Sequence, residues 1–178
     1  GSIIEEGLNE AGHLNVRVIH EMQGVARLIE TMDPDVIIID IENPNRDMME
    51  HMFQLTRMIS RPIAMFVDRS DTAAIEAAVD AGVSAYVVDG LKKERIKPIL
   101  DMAVSRFNAF SRLQRELAEA RSALEERKVI ERAKGILMKM RGMSEEQAYA
   151  LLRQTAMNEK KKLADIAQSV VTAAGMLL

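Results

Sequence analysis

The chain has 178 residues, 48% of them hydrophobic and 29% charged, with a net charge of -3. It contains no cysteine, which excludes disulfides and thiolate metal sites and fits a reducing cytoplasm, and no apolar run approaches the roughly 20 residues that cross a bilayer, so no membrane partner is expected. Aromatic residues make up 3% of the chain, so platforms for stacking single-stranded bases are scarce and any nucleic-acid contact should lean on charge and shape.

In chain order, residues 3–11 read as a helix ended by Gly12, residues 16–19 as a short apolar strand, and residues 25–32 as a second helix. After the turn Asp33-Pro34-Asp35 comes Val36-Ile37-Ile38-Ile39, an uninterrupted β-branched run expected to be buried on both faces of a parallel sheet. Residues 48–59 are helical, residues 62–67 form another buried strand, residues 72–81 an Ala-rich helix closed by Gly82, and residues 85–88 a third such strand. Strands alternating with helices at this spacing predict an α/β doubly wound parallel sheet. Ligands of such sheets gather at the carboxyl ends of the strands, here Asp40, Val67 and Asp89.

From Lys92 no strong breaker occurs until Gly142 except Pro98, read as the first turn of a new helix, and the isolated Gly135. Ile99, Ala103, Phe110, Leu113, Leu117, Ala120 and Leu124 follow a 3-4 spacing, interrupted by Arg106, that predicts a coiled-coil seam joining two chains. The charge then changes sign. Residues 1–100 hold 10 Lys+Arg against 17 Asp+Glu, whereas residues 127–162 hold 10 against 4. On a helical wheel Ile130, Ala133, Leu137 and Met140 form a core face, Arg127, Lys134 and Arg141 line one flank, and Lys128, Arg132 and Lys139 lie outside. Ser144 with Gln147 makes a capping box for the next helix, whose core face is Ala148, Leu151, Leu152 and Thr155, with Arg153 and Met157 pointing away. Leu163, Ile166, Ala167, Val170, Val171 and Ala174 give the last helix its apolar stripe. Three short helices thus close a small all-α core and leave a basic face outside it, a field that suits nucleic acid.

The run Asp40-Ile41-Glu42-Asn43-Pro44-Asn45-Arg46-Asp47 resembles the phosphoacceptor turn of response-regulator receiver domains, and Ala81-Gly82-Val83-Ser84-Ala85-Tyr86-Val87-Val88 resembles their last strand. The resemblance implies Asp40 as phosphoacceptor, with magnesium bound only if the receiver is phosphorylated and no other cofactor. Val67 stands where the family has a switch hydroxyl and Asp89 where it has a lysine, so Tyr86 loses its trigger and the region reads as a pseudo-receiver that begins after its first strand. Whether the first-strand acidic pair that holds the metal exists is left open.

Ala133-Lys134-Gly135, Leu152-Arg153 and Ala156-Met157 closely resemble the ANTAR domain, the RNA-binding module of transcription antitermination regulators. The expected organisation is a receiver-like domain over residues 1–97, a coiled-coil linker helix over 98–127 and an ANTAR domain over 128–178. The resemblance to nitrate-responsive members implies binding to paired hairpins in leader mRNA and control by a nitrate-sensing protein, to which the apolar seam adds the expectation of a dimer. Lys134 and Arg153 are the first candidates for RNA contact, with Arg127, Lys128, Arg132, Lys139 and Arg141 supplying field. The alternative is a DNA-binding response regulator activated at Asp40. Its recognition helix would open on base-reading groups, and the last helix opens on Leu163-Ala164-Asp165-Ile166. An enzyme is not expected: His13, His20 and His51 are isolated, and no P-loop, nucleophile elbow or zinc spacing occurs.

Overall fold

In the computed structural model, which describes residues 2–177, the first part of the chain is organised by three parallel strands, β1 (Ile37–Ile41), β2 (Ile63–Val67) and β3 (Ala85–Val88), in the order β1-β2-β3. Ile37 is in register with Ile63, and Val67 with Val88. Each crossover passes through a helix, α3 (Arg46–Met58) between the first two strands and α4 (Thr72–Asp80) between the last two, which is what parallel pairing requires. Both helices start on side-chain caps: Met48 N donates to Asn45 Oδ1 at 2.8 Å and Ala74 N to Asp71 Oδ1 at 2.7 Å.

The central strand β2 is buried along its whole length, and its period of two divides the core. Met65 and Val67 pack with Met49, Met52 and Phe53 of α3 and Ala78 of α4. Ala64 and Phe66 face the opposite layer, Leu8 of α1 (Ser2–Glu10) with Ile96, Leu100 and Ala103 of α5 (Lys93–Arg141). This is the doubly wound arrangement expected from the alternation of elements. A Cβ at Gly7 would lie 2.8 Å from Ile96 Cγ1, so the absent side chain is what lets α1 approach α5 so closely.

Three expectations are corrected. Residues 16–19 form no strand, and Val16, Val18 and Ile19 are exposed; an apolar run becomes a strand only where it joins a ladder, and these residues pair with none of the described strands. Helix α2 (Val25–Met32) forms as expected, but the Val36–Ile39 run is half-buried rather than covered on both faces, because β1 is an edge of the described sheet. Pro98 does not open a new helix: it is the sixth residue of α5, exposed, where its missing N–H leaves out one hydrogen bond near the start of a 49-residue helix.

The chain divides into two compact units, Gly1–Arg112 and Leu113–Leu178. In the second, the end of α5 packs with α6 (Glu145–Glu159) and α7 (Leu163–Leu177). Ala133, Leu152, Ala156, Ile166 and Ala167 form its core, with Val129, Ile130, Leu137, Leu163, Val170 and Val171 packed around them. The capping box at Ser144 forms, Gln147 N donating to Ser144 Oγ at 3.2 Å and Ser144 N to Gln147 Oε1 at 3.0 Å. Met140, expected in the core, is 57% exposed. It lies in the last turn of α5, before the reversal at Gly142 (φ +62), and a helical period runs to the end of a helix whether or not a neighbour does.

Candidate nucleic-acid interface and the strand-end carboxylate

At the carboxyl ends of the strands lies a cavity of about 220 Å³ lined by Asp40, Val67, Asp68, Asp89 and Lys92. Desolvation, followed by the charges of Glu42 and Asp68, holds the Asp40 carboxyl above the usual carboxylate range. Asn43, itself left-handed (φ 49), donates its backbone N–H to Asp68 Oδ2 at 3.2 Å and ties the first strand-end loop to the second. Asp89 is also left-handed (φ 45), and its N–H donates to the Val67 carbonyl at 2.9 Å. Asp40 and Asp68 both line this cavity, and among the described residues no group of three or more His, Asp or Glu side chains is placed to hold a metal ion.

Val67 is 4% exposed and packed in the core, without a hydroxyl to offer. Yet Tyr86 is not without a partner. Its Oη lies 2.8 Å from Ser70 Oγ, in a groove between α3 and α4 that also includes Met49, Phe53 and Ala77. Sequence reading missed Ser70; the signal was a hydroxyl three residues beyond the strand end.

In the second unit the expected cations separate into three kinds. Arg127, Arg132, Lys139, Arg141 and Arg153 are exposed, and none forms an ion pair among the described residues. Lys128 is exposed and paired with Glu125 at 3.0 Å. Lys134 stands apart from the flank on which the wheel put it: it is 8% exposed, and its Nζ sits 2.8 Å from Glu131 Oε1 and 2.9 Å from Glu145 Oε1. Hydrogen bonds that the ammonium donates to Glu131 and then to Glu145 raise its pKa, and the second of them lowers that of Glu145. The Lys134 ammonium also lies over the Tyr149 ring, 6.0 Å from its centroid. Glu145 belongs to the first turn of α6, so this triad clips the start of α6 to the end of α5. Gly135 is exposed, and a Cβ there would meet nothing within 4 Å, so contacts within the chain do not require glycine.

On α5, Phe110 (58% exposed), Leu113 (61%), Leu117 (51%) and Leu124 (53%) are large apolar side chains left exposed. Among the described residues, no helix is long and apolar enough to cross a membrane.

Residues 2–101 match the response regulator receiver domain, and residues 118–171 match the ANTAR domain. The chain is 31% identical over 172 residues to the transcriptional regulatory protein PdtaR of Mycobacterium tuberculosis, an alignment that covers 97% of this chain and 84% of that protein. Over 76 residues, 43% of this chain and 19% of the other, it is 40% identical to a nitrate regulatory protein of Klebsiella oxytoca. Parallel sheet, long helix and helical basic unit thus agree with both matches, and the chain belongs to the response regulators that join a receiver domain to an ANTAR domain.

Proposed function

We propose that this protein is an RNA-binding transcription antitermination regulator, resembling nitrate-responsive antiterminators of the NasT type. The observation that carries the reading is the group of exposed cations on one small helical unit, Arg127, Arg132, Lys139, Arg141 and Arg153, which form no ion pair among the described residues, on a chain that is otherwise acidic. Phosphodiester strands supply the countercharge, and release of their counterions drives binding. Two copies joined through the Phe110–Leu124 row place two such units on one transcript, where the second hairpin binds at raised effective concentration. Holding paired hairpins keeps a terminator stem from forming. The 40% identical stretch of a nitrate regulatory protein supports nitrate as the signal, relayed by a sensor protein rather than by phosphorylation at Asp40, since Val67 and Asp89 replace the usual switch groups.

Arg153 is the first contact to test, with Arg127, Arg132, Lys139 and Arg141 and the paired Lys128 adding field. A library of two-hairpin RNAs with randomised loops, selected on the full chain, supplies the probe. Arg153→Ala should weaken binding of the selected RNA and lower the slope of log affinity against log salt by about one unit. A library from which the wild-type chain enriches no hairpin would sink the RNA reading. A pull-down of the same RNA with and without nitrate and the sensor tests the control step.

A further inference from the structure

We infer that the Tyr149 ring is a stacking platform for an unpaired RNA base and that Lys134 is the residue that positions it. The inference rests on the RNA-binding reading and names the part of the RNA that the site takes: an unstacked loop nucleotide rather than a duplex backbone.

Four observations converge on this ring. Tyr149 is the single aromatic residue between Leu113 and the end of the chain, so a loop base that stacks on this unit has one aromatic face to use. It is 41% exposed, although a ring of this size favours burial where a core can take it. Its neighbour one turn along α6 is Arg153, exposed and unpaired among the described residues. A ring for the base beside a cation for the adjoining phosphate is the combination by which proteins hold single-stranded nucleic acid.

The fourth is the triad that holds the Lys134 ammonium over one face of the ring. Lys134 carries one positive charge and its partners Glu131 and Glu145 two negative ones, so the cluster is net -1 and does not attract phosphate as a free lysine would. Its action is local. It neutralises carboxylates that would otherwise face the phosphates next to Tyr149, and it fixes the first turn of α6, one turn before the ring. Lys134 is therefore a positioning residue, and Tyr149 is the group that touches RNA.

The test uses the full chain and the hairpin RNA selected on it. Tyr149→Leu should weaken binding by about five- to a hundredfold with the salt slope unchanged, because the ring carries no charge, while Tyr149→Phe should bind within about twofold of wild type. Replacing the stacked loop base with an abasic nucleotide should produce the same loss in wild type and none in Tyr149→Leu. Lys134→Met should also weaken binding without lowering the salt slope, and Glu131→Gln with Glu145→Gln in the same chain should restore it. Should Tyr149→Leu unfold, wild-type protein still decides: 2-aminopurine at the loop position should be quenched on binding, and the abasic RNA should bind more weakly. If hairpins are enriched but Tyr149→Leu binds like wild type, or no abasic substitution in the loop matters, the stacking inference is overturned while RNA binding stands. A salt slope lowered by about one unit in Lys134→Met would make Lys134 a phosphate contact and overturn its positioning role.

Discussion

A lysine at 8% exposure between two carboxylates is a different object from the same lysine on a helical wheel. The wheel put Lys134 on a flank with Arg127 and Arg141, and only Glu131, three residues before it on the same helix, was legible as a local partner. Glu145 was not, because it reaches Lys134 only after the chain reverses at Gly142. The triad has a defined pH window. Glu145 is held below its ordinary value of 4.5, so its contribution favours the folded state fully above 4.5 and is lost as pH falls through the lower folded value. Lys134 is raised above 10.5, so its contribution is full below 10.5 and lost above the folded value. Glu145→Gln should therefore melt at a lower temperature than wild type by a constant margin across neutral pH. That margin should close as the pH drops below 4.5, and a thermal-melt series against pH checks it.

Helix α5 shows how far a single element can be read in advance. The 3-4 spacing predicts a seam along it, and Phe110, Leu113, Leu117 and Leu124 lie exposed on this one helix. Its start was misread at Pro98, since proline marks a helix boundary in sequence but also sits near the beginning of a helix at the cost of one hydrogen bond. A row of leucines and a phenylalanine facing water is stabilised when a second copy covers it. Leu117→Glu should weaken self-association at least about tenfold, read by sedimentation across a concentration series, with the helical content of the chain unchanged. A monomeric wild-type chain at high micromolar concentration would remove the dimer from the proposal. The absent strand at residues 16–19 teaches the complementary lesson: local β-propensity was present, but a strand exists only with a neighbour.

Across the whole molecule, charge is distributed by part: acidic through the first 100 residues, basic over residues 127–162. Such an asymmetry selects a polyanion but does not by itself distinguish RNA hairpins from duplex DNA. Competition does. Unlabelled hairpin RNA should displace the bound probe at concentrations where an equal charge of duplex DNA leaves it bound, and the reverse order would favour the DNA-binding alternative. The sequence by itself determined the alternation of strands and helices, the three-helix unit with its cap at Ser144, the change in charge sign and the missing hydroxyl at Val67, because each follows from local periodicity or residue chemistry. Only the tertiary structure decided that Lys134 is held between two carboxylates over the Tyr149 ring, that Tyr86 is held by Ser70, and that Val36–Ile39 lies at a half-covered edge. Those outcomes depend on which distant residue arrives at a given place, and no local period encodes that.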